Sequence, residues 1–503
     1  MTLQSNQPAS PESREALYKN MGKHIELFYP LLQKTIPIIK ALQKLPTKTQ
    51  EDKLVLALFE LQAFIATVNL DIATFLRAEF RSEHSSEKRM NIRYINVVVI
   101  EGYKYLKAYC EEDRANAKWE QIRILARELQ DLELSAGITT IDKLIAEFQK
   151  TYIHKTDIYN RNLAIHYDKN PFKIYEYYIN LNEDIEVKRI NNFFEIIDAL
   201  ICFLSKYIAK ANIKLCCEEV SMITDHSLIE RINSVITREH TIFGVAGRAI
   251  ETYSKILNKM AMYSKMPEYF SSQIGRKFNI DKNALTKELC PIISDIKPGI
   301  LVIFIYLDLC TAVRAYLTSE SHYEKQLNLR HIEIIVYEGC RHLYGFDDRQ
   351  RSRSFWQTAL FPALQNSEDS SIKELLEQIQ NGLEKISLDD TINNCLLREC
   401  FVHYRYESRD NIIALFEESE KSIAVFEFNK AKLLLEVLPK IIEVNAKILS
   451  LKNQSIKEEN RKKREELITT LRMPLDKIAD KQKKEEYETM LQPIIDLITK
   501  IYS

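Results

Sequence analysis

An arginine followed five positions later by a histidine and then a tyrosine occurs twice in this chain, as Arg161-Asn162-Leu163-Ala164-Ile165-His166-Tyr167 and Arg398-Glu399-Cys400-Phe401-Val402-His403-Tyr404. A guanidinium grips phosphate oxygens in a planar fork, and an imidazole titrates near neutrality and moves protons. Together they form a kit for phosphodiester chemistry. RNA carries its own nucleophile, the 2′-hydroxyl, so such a site needs no metal ion, and no dense Asp/Glu or Cys/His cluster is spaced to hold one. With 26 Arg and 10 His in 503 residues, chance supplies about half of one Arg-x4-His pair in ordinary composition. On a helix, positions i and i+5 lie about 140° apart. Arg161 and His166 would thus leave on neighbouring faces, with Asn162 stacked under His166 at i,i+4.

The second copy lies 237 residues after the first, and the same offset holds well upstream. Residues 82–106 (SEHSSEKRMNIRYINVVVIEGYKYL) laid on 319–343 (SESHYEKQLNLRHIEIIVYEGCRHL) match at 11 of 25 positions, where unrelated segments share about one in fifteen. Earlier still, Leu70-Asp71, Thr74, Arg77 and Ala78 recur as Leu307-Asp308, Thr311, Arg314 and Ala315. Polar residues repeat best: Glu83, Glu87, Asn91, Arg93 and Glu101-Gly102 return as Glu320, Glu324, Asn328, Arg330 and Glu338-Gly339. Core positions drift among Ile, Leu and Val, as packing permits at constant volume. A period this long reads as a duplicated domain, not a solenoid repeat.

These residues resemble a known family. Arg161-Asn162-x3-His166 is similar to the Arg-x(4–6)-His signature of the HEPN superfamily, often written with Asn after the Arg, and Arg398-x4-His403 resembles a second copy. The resemblance implies helical bundles with the signature near one helix end, and two units paired so that both signatures form one composite ribonuclease site. Many members are metal-independent ribonucleases of bacterial defence and toxin systems, and RNA-targeting CRISPR effectors carry two such units in one chain. Carried over, the resemblance has Arg161 and Arg398 hold and neutralise the scissile phosphate. His166 and His403 would assist deprotonation of the 2′-hydroxyl and protonation of the leaving 5′-oxygen, leaving a 2′,3′-cyclic phosphate. No cofactor is expected.

Two departures from the family pattern matter. Glu399 stands where the first copy has Asn162, and a carboxylate beside His403 would favour imidazolium and repel phosphate. The halves are therefore expected to be unequal. His403-Tyr404-Arg405-Tyr406 resembles the His-x-Tyr extension of HEPN toxins whose tyrosine a partner nucleotidyltransferase modifies, with the second Tyr one place later. That makes Tyr406 a candidate modification site.

The elements that must position these residues are helical. Only 10 Gly and 13 Pro interrupt 503 residues, and long segments show the helical apolar period, so the expected class is all-α. The length allows two to four domains. We expect a disordered leader at 1–13, a HEPN-like domain at 14–211, a helical connector at 212–287 without counterparts of the motifs, a second HEPN-like domain at 288–448, and a C-terminal helical segment at 449–503. Within the first unit, helices are expected over about 14–45, 54–81, 91–110, 139–152 and 185–211, with the signature helix ending at Asn170-Pro171.

A net charge of −1 denies the global basic excess of a protein that coats nucleic acid, so any RNA site must be a local patch. The nine Cys form no CxxC pair and read as reduced thiols of a cytoplasmic protein. The run Gly299–Leu307 stops at Asp308, too short to span a bilayer, and no charged-apolar-small leader opens the chain.

Each candidate has a plainer reading. The Arg/His pairs could be kept for capping and salt bridges, although buried structure rarely needs Arg and His together twice. Glu101 and Glu338 could orient the signature arginines or pair with Arg93, Arg330 or Lys104. Gly102 and Gly339 mark close helix approach. Arg349, Arg351 and Arg353 beside Trp356 could grip and stack single-stranded RNA, as could Arg93 and Arg330 from the groove, but a charge run is usually a wet loop. Tyr167 and Tyr404 are expected to support the site. The leading expectation is a metal-independent endoribonuclease of bacterial defence or growth arrest, with RNA and an antitoxin or other regulatory protein as partners, no membrane, and self-association left open. Its rival is a non-catalytic helical scaffold that binds RNA or protein.

Overall fold

The structure, a computed structural model, describes residues 11–44, 49–107, 117–129, 132–165, 171–210, 240–264, 282–366, 369–387, 405–406, 409–410, 429–455, 457–473 and 481–502. The fold is all-α, as the sparse Gly and Pro predict. Among the described residues, extended backbone is confined to a two-residue antiparallel ladder, Arg405–Tyr406 with Arg409–Asp410.

The first half comprises α1 (Pro11–Gln43), α2 (Gln50–Arg81), α3 (Ser85–Lys107), α4 (Lys118–Leu129), α5 (Leu132–Tyr152), α6 (Lys155–Ile165), α7 (Pro171–Ile179) and α8 (Glu183–Lys210). After α9 (His240–Ser264) come α10 (Lys282–Leu317), α11 (His322–Leu343), short turns of α- and π-helix over 348–366, α12 (Ser370–Ser387) and α13 (Asn429–Ser455). The chain closes with α14 (Lys457–Arg472) and α15 (Lys481–Tyr502).

Local chemistry sets several of these ends. Thr49 begins α2 with a capping box, its hydroxyl accepting from the Asp52 amide at 3.1 Å while the Asp52 carboxylate accepts from the Thr49 amide at 2.9 Å. Ser321 and Glu324 begin α11 in the same way; each box satisfies two orphan donors of a helix start. Pro171 takes the first position of α7, where no N–H is needed.

Helix α2 is the spine of the first half, packed by α1, α3, α4 and α8, with α5 lying on α8. Helix α10 has the same place in the second half: α9, α11 and α13 pack on it, and α12 lies on α13. Bounds follow the 237-residue offset closely, since 85 shifted by 237 is 322, and Ser85 and His322 are the first residues of α3 and α11.

The repeated glycines sit at the same joint in each half. A Cβ on Gly102 would lie 2.8 Å from Phe193 Cζ and 3.7 Å from Val68, while one on Gly339 would lie 2.9 Å from Ile305 and 3.8 Å from Leu434. Val68 and Ile305 are themselves 237 apart. In each half, then, the missing side chain lets the third helix of the unit close on both its spine and its tail helix.

Helix α9 falls inside the segment expected to be a connector without counterparts. It packs on α10 as α1 packs on α2, with matching chemistry. The Arg77 guanidinium lies 4.3 Å from the Tyr18 ring centroid, and that of Arg314 lies 4.1 Å from the Phe243 ring. One turn on, Gly22 faces Arg77 and Gly247 faces Arg314. Tyr18-x3-Gly22-x2-Ile25 and Phe243-x3-Gly247-x2-Ile250 therefore correspond at an offset of 225, which a fixed 237-residue comparison slides past.

The expectation that the apolar run from Gly299 is too short to span a bilayer is corrected, because the helix continues past Asp308 with apolar residues to Leu317. Among the described residues two helical segments, Gln50–Arg81 and Gly299–Leu317, are long and apolar enough to cross a membrane by length and composition. Most of each is buried against other helices of the chain, which gives their apolar surface a protein partner.

Candidate functional site

The two halves meet through α2 and α3 on one side and α10 and α11 on the other, and the contacts are reciprocal. Arg93 Nη2 donates to Asp308 at 2.5 Å, and Arg330 Nη2 donates to Asp71 at 2.8 Å. Arg77 pairs with Glu324 at 2.8 Å, and Arg314 with Glu87 at 2.6 Å. At the rim Arg77 also meets Glu320 at 2.5 Å and Arg314 meets Glu83 at 2.9 Å. In every case residue i reaches j and residue i+237 reaches j's counterpart, the contact pattern of an isologous two-fold interface.

The same reciprocity extends to the hydrogen bonds and the core. Glu87 accepts from the amides of Glu83 and His84 at 3.1 Å, as Glu324 accepts from those of Glu320 and Ser321 at 2.9 and 2.8 Å. Each of these glutamates thus holds a helix start while neutralising an arginine of the opposite half. Met90 and Leu327, again equivalent, are each packed in the core of the other half.

At the centre of the seam, Tyr94 and His331 stand edge to face with ring centroids 3.6 Å apart, and Phe75 meets His331 at 5.4 Å. His331 is 4% exposed. Burial and then the nearby Arg93 charge hold its imidazole well below the usual histidine range, so the ring is neutral at physiological pH. Burial pushes the Tyr94 phenol far up, against the opposing pull of the Arg93 charge. Tyr323 donates to Asp71 at 2.7 Å, and its phenol is likewise raised, by burial and then by the Asp71 charge.

Beside this pair lies a partly open cleft. Equivalent residues of both halves line it: Asp71 and Asp308, Tyr94 and His331, Val97 and Ile334. So do Ala164 and Ile165, the last two residues of α6. Ala164, Ile165 and Val97 form one apolar cluster, with Ile334 of the second half packed against it. The end of the first signature helix therefore lies on the seam, and His166 is the next residue in the chain.

Arg161 sits on α6 at 7% exposure, ion-paired with Glu101 of α3, which is 2% exposed. Its Nη1 donates to the Asn162 side-chain oxygen at 2.6 Å. Glu101, expected either to orient the signature arginine or to pair for stability, is thus ion-paired with Arg161. The equivalent Glu338 is fully buried, with Arg341 Nη1 3.6 Å away. His166, Tyr167, Arg398, Glu399, His403 and Tyr404 lie outside the described residues, and for Tyr406 only the paired backbone is described.

Four RNA-binding expectations are corrected in whole or in part. Arg93 and Arg330 do not face a groove; their side chains are 1% and 6% exposed and closed by the cross-half aspartates. In this structure the aspartates of the opposite half occupy both guanidiniums. Trp356 is 3% exposed, between Tyr344 and Phe361 in the second core, because its ring buries more area inside than a wet loop can offer. Arg351 is half-buried over the Tyr344 ring at 5.1 Å, whereas Arg349 and Arg353 are exposed. The sequence reading missed the role of Asp71 and Asp308, although each lies mid-helix among apolar residues, where a buried carboxylate demands a cation. Among the described residues no three His, Cys, Asp or Glu side chains group to hold a metal ion.

No protein-family model, no curated protein and no solved structure matches the chain.

Proposed function

We propose that the chain is a metal-independent endoribonuclease in which two HEPN-like halves pair within one polypeptide and present Arg161, His166, Arg398 and His403 to one cleft. The observation that carries this reading is the position of Ala164 and Ile165 on the seam cleft, which brings the histidine-bearing end of one signature to the boundary with the other half. The reciprocal ion pairs support it further, since they join the two halves across one seam. In this reading the arginines neutralise the scissile phosphate and the histidines carry protons from the 2′-hydroxyl and to the 5′-oxygen. Bacterial defence or toxin-type growth arrest, in the cytoplasm and under a regulatory partner or modification of Tyr406, is the setting that the HEPN resemblance suggests.

A second reading has a specific observation in its favour. Arg161 is buried and already neutralised by Glu101, as expected of an arginine that ties α6 to α3 in a non-catalytic scaffold. Incubation of labelled RNA with the protein in EDTA, beside His166→Ala and His403→Ala, separates the two. Loss of cleavage in either variant supports a shared site. Cleavage that persists in both, or is absent from the wild type, removes the nuclease reading.

A further inference from the structure

We propose that the seam cleft is a base-binding subsite: it takes the nucleobase next to the scissile phosphate, with Ile334 and Val97 as walls and His331 as the polar group that reads it. This rests on the nuclease reading for its RNA, and on the cleft for its geometry.

The first ground is position. Ile165, one residue before His166, lines the cleft, so a phosphate held at the signature would place its neighbouring base within one nucleotide of it. The second ground is surface. Val97, Val98, Ala164, Ile165, Leu327, Ile334 and Ile335 supply apolar walls, and Phe75, Tyr94 and His331 supply ring edges and faces. This is a surface for a flat heterocycle and not for a bare phosphate, because the charged groups at its floor, Asp71, Asp308 and Arg330, already serve the cross-half ion pairs.

The third ground is an unmet hydrogen bond. His331 Nε2 is buried without a partner, a state that carries a desolvation cost which a ligand can relieve. His331 is one of the residues that line the cleft. A neutral imidazole offers one donor and one acceptor, the pair of roles needed at the edge of a base.

The fourth ground is asymmetry. The seam is reciprocal in its ion pairs but not in its rings: His331 answers Tyr94, and Ala312 answers Phe75. An RNA strand has direction, so of two equivalent sides only one can take the base that follows the cut. A seam serving packing alone has no such requirement.

The test uses the full chain and the four nucleoside 3′-monophosphates, with affinity read by ligand-observed NMR, and cleavage sites mapped in parallel on a mixed-sequence RNA. One base should bind at least tenfold tighter than the others. Ile334→Trp, at the half-exposed cleft wall, should abolish binding. His331→Phe, which keeps the ring, should flatten the preference, with both variants holding the wild-type melting profile. If base-selective binding is lost in these variants but RNA is never cut, the subsite stands and the nuclease reading falls. If RNA is cut with unchanged preference in both variants, or if no nucleotide binds the wild type, the subsite is overturned. Should Ile334→Trp fail to fold, Val97→Leu decides through the same binding assay.

Discussion

Tyr94 and His331 occupy equivalent positions 237 residues apart, and they touch, with ring centroids 3.6 Å from each other. A residue contacts its own counterpart only where a two-fold axis passes, so this pair marks the axis relating the two halves. The ion pairs Arg93–Asp308 and Arg330–Asp71 repeat one exchange between the halves. An isologous homodimer would put identical residues here; a single chain has been free to place different ones.

The pH dependence of stability should follow from His331. Its folded-state value is depressed, by burial first and Arg93 second, so the unfolded chain binds the proton more readily. Stability from the neutral ring is full above about 6.5 and is lost as pH falls below that unfolded value. Asp71, Asp308 and Arg330 line the cleft beside the ring, and protonation would add a second positive charge near Arg93. Denaturation midpoints taken from neutral to mildly acidic pH should fall for the wild type and fall less for His331→Phe. Parallel slopes would show that other groups govern acid sensitivity.

Breaking one buried cross-half pair should be costly, and replacing it should not. Asp308→Ala leaves Arg93, whose side chain is 1% exposed, charged and unanswered, a loss of about 3–5 kcal/mol. The double variant Arg93→Met with Asp308→Leu removes both charges at similar volume and should recover most of that stability. Arg77 with Glu320 is different, because that glutamate side chain is 63% exposed, and Glu320→Ala should cost no more than about 1 kcal/mol. Urea unfolding of the three variants orders them; a double variant weaker than Asp308→Ala would contradict this account.

The two repeated glycines should behave alike. A methyl at Gly102 or Gly339 meets Phe193 or Ile305 inside 3 Å, and overpacking of this kind costs about 1–3 kcal/mol. Only Gly102→Ala can be followed to a described signature residue, since Glu101 beside it holds Arg161. Melting of both variants, compared with Gly244→Ala, where the added methyl lies 3.6 Å from the end of the flexible Arg248 side chain, checks the claim.

What the sequence makes legible here depends on how local the signal is. Helices and the 237-residue correspondence are readable because period and identity are properties of short stretches, whereas α2, expected from about 54, starts at Gln50 on the Thr49–Asp52 capping box. Pairing across halves is not. Arg93 and Asp308 are 215 residues apart, and spacing alone does not say that an arginine repeated in α3 answers an aspartate repeated in α10. The combination of a mid-helix carboxylate and a mid-helix guanidinium, each present twice, holds that information only once burial is considered. Trp356 misleads for a related reason, since an aromatic at the end of a basic run looks the same whether it stacks on a ligand or anchors the loop to the core. The α9 counterpart of α1 hides behind a change of offset from 237 to 225.

Glu101 offers the sharpest separation between the nuclease and the scaffold. Its carboxylate is buried and paired with Arg161, which in turn donates to Asn162. Glu101→Gln keeps the shape and a hydrogen-bonding oxygen but removes the charge, leaving the Arg161 guanidinium without its counterion in a low-dielectric place. If Arg161 only ties α6 to α3, the variant should lose stability, and any RNA cleavage should track the fraction folded. If Arg161 is held for phosphate, the released guanidinium binds RNA at least as tightly but in the wrong orientation. Turnover should then fall by tenfold or more at full occupancy, in protein that is still folded at the assay temperature. Glu101→Asp, which restores the charge on a shorter arm, should recover stability before it recovers turnover. Single-turnover cleavage with unfolding curves on the same preparations distinguishes the cases, and a rate that falls only in step with unfolding would assign Arg161 to structure.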